Sequence, residues 1–86
     1  MPELCRFYGI IIRLFYRDHA PPHFHAEYAG VEAVVSIDTL EVISGELPPR
    51  ALALVVEWVV RYRVRLRDCW AAAQEGRAPG KIPPLD

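Results

Sequence analysis

The chain has 86 residues and a formal net charge of −1 at pH 7, from 10 Lys and Arg against 11 Asp and Glu. This length allows one small domain and excludes two. A hydrophobic fraction of 52% excludes a disordered chain, and the balanced charge excludes an overall positive field for nucleic acid. The two cysteines, Cys5 and Cys69, belong to no C-x-x-C pair, which argues against a disulfide scaffold or a cysteine zinc site.

The sequence pattern does not predict insertion into a membrane. The longest apolar run, residues 51–56, is far shorter than the ~20 residues that cross a bilayer. The N-terminal residues lack the basic stretch, apolar run and cleavage site of a signal peptide. We therefore expect a cytoplasmic protein in which both cysteines are reduced and pack as small apolar side chains.

The first half of the chain is rich in β-branched and aromatic residues, which favour strands. Strands are predicted at residues 5–8, 9–17, 23–28, 31–37 and 40–43. The double proline at residues 21–22 ends the second of these strands, because proline cannot donate to a ladder. Ala29-Gly30 has the composition of a two-residue hairpin loop between the third and fourth strands.

From Pro49 onward the apolar residues repeat with a helical period, and proline is favoured in the first turn of a helix. The pattern predicts one helix that extends to Glu75 and ends before Gly76. Residues 77–86, which contain Pro and Gly, are predicted as an extended tail. The expected architecture is a single α+β domain over residues 1–76, an antiparallel four- to five-stranded meander with one long C-terminal helix packed on one face.

The hairpin loops also predict the register of the sheet. The two-residue loop places Phe24 opposite Val35, and a hairpin closed by residues 18–22 places Leu14 opposite Ala26. The face that contains these four side chains is apolar and is predicted to pack against the helix. The opposite face then carries one row of Arg17, His23, Ser36 and Glu41, a second row of Phe15, His25, Val34 and Ile43, and a third row of Arg13, Glu27 and Glu32.

The polar face combines imidazole and guanidinium groups, which together suit a small ribonuclease. Imidazole transfers protons near neutral pH, and paired arginines hold a phosphate or a carboxylate. The candidate catalytic residues are His23, His25, Arg13 and Arg17, with Ser36 and Glu41 as candidate substrate-binding residues. This hypothesis needs no cofactor. In the structural alternative, Arg13 only neutralises Glu27 and Glu32, which face each other as like charges.

All three histidines lie between positions 19 and 25, and with a nearby carboxylate they are ligand types that suit a divalent transition metal, although their spacing matches no established zinc motif. The candidate ligands are His19, His23 and His25, with Glu27 or Asp18 as the carboxylate. His23 and His25 are two positions apart on one strand, so their imidazoles point to the same side. The alternative is a proline-rich loop whose histidines hydrogen-bond backbone carbonyl groups.

Two features of the helix concern partners. Val56, Val60 and Val64 step by four residues outside the core stripe, which predicts either a wider core contact or an interface for a homodimer or another protein. The arginines at positions 61, 63, 65 and 67 are divided between different sides of the helix, and acidic residues flank one pair. A solvated, salt-bridged surface is therefore favoured over RNA binding.

The segment that includes Asp18-His19-Ala20-Pro21-Pro22-His23-Phe24-His25 resembles the hallmark segment of a small bacterial family, domain of unknown function family 4160. The resemblance continues through Val35-Ser-Ile-Asp-Thr-Leu-Glu-Val and Glu57-Trp58. It implies a cytoplasmic prokaryotic protein that is often encoded beside another short protein, commonly of unknown-function family 2442. That arrangement is similar to a toxin–antitoxin pair. The resemblance thus implies a protein partner but no mechanism.

Overall fold

The chain forms a five-stranded sheet followed by one helix. The computed structural model describes residues 2–86, and its elements are β1 (Glu3–Phe7), β2 (Ile10–Arg13), β3 (His23–Tyr28), β4 (Val31–Ser36), β5 (Val42–Gly45) and α1 (Pro49–Gln74). Each strand pairs antiparallel with the next one along the chain, in the order β1-β2-β3-β4-β5. The predicted α+β fold, an antiparallel meander with one long C-terminal helix, is confirmed.

Two tight turns connect strands at one end of the sheet. Tyr8-Gly9 joins β1 to β2 and Ala29-Gly30 joins β3 to β4, and all four residues have positive φ, between 49° and 83°. A type I′ turn requires this geometry at both central residues, and its twist matches that of the strands it joins. The predicted hairpin loop at Ala29-Gly30 is confirmed.

The predicted strand over residues 9–17 is too long. β2 ends at Arg13, and residues 14–22 leave the sheet as a loop that reaches the end of α1. The backbone N–H of Arg17, at φ 50°, donates to the Ala73 carbonyl oxygen (3.1 Å). A tertiary hydrogen bond to the helix therefore replaces the ladder bond that the strand-like composition favours.

The predicted register is right for one hairpin and wrong for the other. Phe24 pairs with Val35 as predicted, whereas Ala26 pairs with Ile12 instead of Leu14. The reason is that β2 ends earlier than predicted, so the loop before β3 is longer. An error of two residues keeps each side chain on its predicted face and changes only its neighbours.

The rows on the polar face change accordingly. Arg13 lies opposite His25, while Phe15 and Arg17 lie in the loop and not in the sheet. The predicted row positions of these three β2 and loop residues are therefore wrong. The predicted pairing of His23 with Ser36 across β3 and β4 is confirmed.

A β-bulge alters the pairing between β4 and β5. Val34 pairs with Ser44 and Val35 pairs with Val42, so Ile43 is the extra residue of the bulge. The predicted row that placed Val34 opposite Ile43 is wrong by one position. The hairpin composition did not reveal the bulge, which inserts one residue into one strand and redirects the side chains around it.

The helix packs on the apolar face of the sheet and begins at Pro49, as predicted. The Trp58 side chain is fully buried, with ring centroids 5.7 Å from Phe7 and 6.0 Å from Phe24. Full burial of a large apolar side chain contributes about 1.5–3 kcal/mol, so this aromatic contact is a major link between helix and sheet. Within residues 2–86, no helix is both long enough and apolar enough to span a bilayer.

Cys5 and Cys69 are free and buried, so the expectation that they pack as small apolar side chains is confirmed. Burial raises the pKa of the Cys5 thiol to about 12, and burial also raises the pKa of the Cys69 thiol. Both thiols are therefore protonated at neutral pH, and neither is a candidate nucleophile.

Residues 77–86, which we call the C-terminal segment, have no regular secondary structure but pack against the rest of the domain. Ile82 is buried, and its backbone N–H donates to the Leu4 carbonyl oxygen (3.2 Å). The indole Nε1 of Trp58 donates to the Pro83 carbonyl oxygen (2.9 Å). The C-terminal segment therefore covers one side of the core between α1 and β1.

Ile82→Ala should lower the free energy of unfolding by about 2–4 kcal/mol, because the substitution leaves a cavity under the C-terminal segment. Urea denaturation followed by tryptophan fluorescence measures this change. Val64→Ala is the control, since the Val64 side chain is 70% exposed, and should change the free energy by less than about 0.5 kcal/mol. Equally small effects of both substitutions would show that the C-terminal segment contributes little to the core.

Candidate metal centre

A cavity of about 340 Å³ opens on the polar face of the sheet. Strands β3, β4 and β5 and the loop over residues 14–22 provide its walls. Three side chains that can ligate a metal meet in this cavity: Asp18, His23 and His25. We call these three residues the Asp-His-His cluster.

The two histidines are placed by the alternation of β3. His23 and His25 flank the buried Phe24, whose side chain lies in the core on the opposite face. Because successive side chains in a strand point to opposite faces, burial of Phe24 aims both imidazoles at the polar face.

The carboxylate is placed by the end of α1. The Gln74 side-chain Nε2 donates to the Asp18 carbonyl oxygen (2.8 Å), beside the backbone hydrogen bond from Arg17 to Ala73. These two contacts bring the loop back over the start of β3. The last turn of the helix therefore sets the position of Asp18.

The Asp18 carboxylate lies against both imidazoles. Its Oδ2 is 2.8 Å from His23 Nε2 and 3.5 Å from His25 Nε2, and the three ligand atoms lie within 4.8 Å of one another. The exposed fractions of the side chains are 13% for Asp18, 5% for His23 and 12% for His25. Bulk water therefore screens the interactions within this cluster only weakly.

The outer nitrogen of each imidazole contacts an oxygen. His23 Nδ1 is 2.6 Å from the Pro21 carbonyl oxygen, and His25 Nδ1 is 3.3 Å from Glu32 Oε1. A carbonyl oxygen can only accept, so His23 Nδ1 carries a proton and donates it. The Nε2 of His25 is buried and has no hydrogen-bond partner among residues 2–86. Both Nε2 atoms thus face the Asp18 carboxylate.

Aromatic contacts fix the planes of the two rings. Phe15 stacks on His25 with ring centroids 4.1 Å apart and planes inclined by 6°. The Trp70 ring of α1 is 5.1 Å from the His23 ring between centroids. Stacking and edge contacts of this kind favour particular ring orientations, so they keep both Nε2 atoms turned toward Asp18.

The charge of Asp18 is well defined. Burial raises the pKa of its carboxyl, but hydrogen bonds from the His19 backbone N–H and from the His23 ring outweigh burial, and the pKa lies below its usual value. Asp18 is therefore ionised at neutral pH and supplies a negative charge inside the cavity.

The structure places the predicted metal ligands in two groups. His23 and His25 belong to the cluster, together with Asp18, the alternative carboxylate in the sequence-based hypothesis. His19 lies at the rim, with a side chain that is 90% exposed and Nδ1 3.0 Å from Asp18 Oδ1. Glu27 lies outside the cluster and accepts a hydrogen bond from Arg13 (3.2 Å).

The candidate catalytic residues do not form one cluster. His23 and His25 are together, whereas Arg13 is paired with Glu27 on the neighbouring part of the sheet. The Arg17 guanidinium lies against Gly76, just after α1, where a Cβ at Gly76 would force the guanidinium to move.

The candidate substrate-binding residues lie beside the cluster. The Ser36 backbone N–H donates to the Glu41 carbonyl oxygen (2.9 Å). Both residues line a second cavity, of about 290 Å³, which shares Pro21 and Ile43 with the first cavity.

Two neighbours of the cluster were not assigned to it from the sequence. Glu32 contacts His25 from a position diagonal to it in the ladder, where long side chains reach each other. The predicted register of β3 and β4 already contained this signal. Trp70 reaches His23 from α1, and no pattern in the sequence could place that contact.

Comparison with known proteins assigns the chain to a family. The model of a domain of unknown function, DUF4160, matches residues 9–71. The chain belongs to the DUF4160 family. The family membership expected from the sequence is therefore confirmed, and the matched range of this DUF4160 protein contains the entire Asp-His-His cluster. No curated protein and no solved structure matches the chain.

Asp18→Asn should lower the free energy of unfolding of the DUF4160 protein by about 1–2 kcal/mol at pH 7, because an amide replaces the ionised acceptor of His23. The pKa of Asp18 is lowered in the native state, so its carboxylate stabilises the fold above the unfolded-state pKa. This stabilisation is lost as the pH falls through the native pKa. The difference in the free energy of unfolding between the unsubstituted protein and Asp18→Asn should therefore narrow below about pH 4, as measured by urea denaturation at a series of pH values.

The matched control for this prediction is Asp38→Asn. Asp38 pairs with Arg67 at 2.9 Å, and both side chains are about half exposed. The substitution should change the free energy of unfolding by less than about 1 kcal/mol. If Asp18→Asn behaves like this control, Asp18 is not a stabilising centre of the loop.

Proposed function

We propose that this DUF4160 protein binds a divalent transition-metal ion through Asp18, His23 and His25. The observation that carries the proposal is that the two nitrogens of each imidazole have different contacts. Nδ1 contacts an oxygen of the protein, while Nε2 faces the Asp18 carboxylate. Histidines that ligate metals almost always have this arrangement, because the outer contact fixes the ring and increases the basicity of the ligand nitrogen.

The separations within the cluster support one shared ion. Ligand atoms at about 2.0–2.2 Å from a metal lie about 2.8–3.6 Å from one another at octahedral and tetrahedral angles. The distances from Asp18 Oδ2 to the two Nε2 atoms are 2.8 Å and 3.5 Å, within this range. All three ligand atoms lie within 4.8 Å of one another, so they surround one common position.

The donor set also indicates which ions to test. Two imidazoles and one carboxylate suit Zn²⁺ and Fe²⁺, and three protein ligands leave a coordination position open for water or substrate. In this protein such a position would face the cavity of about 340 Å³. A bound ion would there polarise a ligand or activate a water molecule.

A metal-free alternative explains only part of the cluster. An ion pair between a protonated His23 and Asp18 would account for their contact at 2.8 Å. It would leave the buried His25 Nε2 without a hydrogen-bond partner at 3.5 Å from the carboxylate. A buried polar atom without a partner is costly, and a metal ion would remove that cost for His25.

The metal proposal predicts that protein purified without a histidine tag takes up about one Zn²⁺ or Co²⁺ per chain in equilibrium dialysis. His23→Ala and His25→Ala should each reduce the affinity at least tenfold and should abolish the visible absorption of bound Co²⁺. His19→Ala is the matched control, because it removes a histidine from the rim and should retain the ion. Uptake below about a tenth of an ion per chain would overturn the proposal.

A second proposal concerns a protein partner. Val60 and Val64 are 66% and 70% exposed, and with Val56 they form one apolar row on α1. Exposed apolar rows favour an interface with another protein. We propose that this row binds the product of the neighbouring gene, of unknown-function family 2442, in a toxin–antitoxin-like pair in the bacterial cytoplasm. A homodimer through the same row is the alternative.

Val60→Asp combined with Val64→Asp should abolish co-purification with the neighbouring gene product, because two charges enter the apolar row. Circular dichroism should stay unchanged, since both side chains are exposed.

Expression of the chain alone should slow growth, and His23→Ala should relieve that effect. Normal growth without co-purification would contradict the pair, and a dimer in light scattering that the double variant dissociates would favour the homodimer.

A further inference from the structure

We propose that the ligand of the metal centre places an apolar group in the first cavity and carries a neutral or positively charged end in the second. The two cavities adjoin each other, and we call them together the groove. The groove would then disfavour ligands that have a phosphate or carboxylate at the end in the second cavity. This inference rests on the proposed metal binding and adds the chemical class of the ligand. It is carried by the walls of the two cavities, by the β-bulge and by the charges along the groove.

Beyond the Asp-His-His cluster, the first cavity has mainly apolar walls. Phe15, Pro21, Val34 and Ile43 line it, and Ile43 is 49% exposed. An apolar cavity with a few convergent polar groups is the usual form of a site for small ligands. These walls therefore favour an aliphatic or aromatic group directly beside the metal position.

The β-bulge gives the groove its shape. In a regular strand consecutive side chains point to opposite faces, yet Ile43 and Ser44 both line the first cavity. Val42 and Ile43 both line the second cavity. Bulges redirect side chains in this way and are common at sheet edges beside active sites. The bulge at Ile43 thus places one apolar side chain between the two cavities.

The second cavity continues from the first and has a different charge. Its polar lining residues include Asp38 and Glu41. Asp38 is neutralised by Arg67 at 2.9 Å, whereas the Glu41 side chain has no ion-pair partner among residues 2–86. The Glu41 carboxylate is therefore the uncompensated charge at this end of the groove.

The linings also lack the groups that bind anions. Among residues 2–86, no Lys or Arg lines either of the two cavities. Proteins recognise phosphates and carboxylates mainly through guanidinium and ammonium groups. A ligand with a negative end would thus meet Glu41 with no compensating cation, and a ligand with an ammonium group would gain from the same carboxylate.

The test uses metal-loaded protein and four hydroxamates, whose head group chelates a metal ion. Acetohydroxamate presents the head alone. Three probes with a six-carbon chain end in a methyl, an ammonium or a carboxylate group: hexanohydroxamate, 6-aminohexanohydroxamate and adipic monohydroxamate. Calorimetry measures their affinities at low and high salt. The variants are Glu41→Gln and, as a matched control on the outer surface of α1, Glu57→Gln.

We expect hexanohydroxamate to bind about tenfold more tightly than acetohydroxamate, because the chain buries apolar area in the first cavity. The ammonium probe should bind at least threefold more tightly than the carboxylate probe. Glu41→Gln should remove most of that preference, and Glu57→Gln should retain it. If acetohydroxamate and the six-carbon probes bind with equal affinity, or if the carboxylate probe binds most tightly, the inference is overturned.

The proposed metal binding and the inference about its ligand fail in different ways. If dialysis shows no metal uptake, the proposed function fails, and the inference about its ligand fails with it. If metal binds and acetohydroxamate binds as tightly as the longer probes, metal binding stands and the apolar subsite is refuted. If chain length matters but Glu41→Gln leaves the charge preference unchanged, the assigned role of Glu41 is refuted.

Discussion

The packing of α1 across one face of the sheet is the constraint on which the rest of the structure depends. A chain of 86 residues can build only one core, and here that core is centred on Trp58 between the helix and the sheet. Each strand must therefore turn its apolar side chains toward α1. Because side chains alternate along a strand, the burial of Phe24 directs His23 and His25 to the other face.

The end of the same helix also organises the loop that supplies Asp18. The loop is joined to the last turn of α1 through Ala73 and Gln74, and Trp70 from the turn before contacts His23. The Asp-His-His cluster is thus built from a strand and the loop just before it, and a helix end about 50 residues further along the chain holds both in place. A ligand that favours this arrangement would also stabilise the end of the helix, because binding to the native state alone shifts the folding equilibrium.

The proposed functions use two surfaces of the molecule. The proposed metal centre and the two cavities beside it lie on the polar face of the sheet, and the apolar valine row lies on α1. The arginines of the ribonuclease hypothesis have other contacts in this structure, since Arg13 is paired with Glu27 and Arg17 lies against Gly76. Among residues 2–86, no Lys or Arg lines the cavity that contains this imidazole–carboxylate cluster, which suits a cation better than a phosphate.

The sequence by itself determined the α+β class, the hairpin at Ala29-Gly30, the helix start at Pro49 and the shared face of His23 and His25. These features depend on local rules: turn geometry, alternation along a strand and the period of a helix. Glu32 beside His25 also followed from the predicted register, although it was not recognised there. Local composition was therefore sufficient for the fold and for two members of the cluster.

Only the tertiary structure decided the rest. The strand-like residues after Arg13 leave the sheet because the end of α1 offers their backbone another hydrogen-bond partner, and strand propensity contains no information about that partner. The same contacts selected Asp18 over Glu27 as the carboxylate beside the histidines. The bulge at Ile43 depends on the pairing of two complete strands, and the C-terminal segment became part of the core because Trp58 and Leu4 provide its partners. Each of these features comes from contacts between residues distant in the chain, which patterns read along it cannot specify.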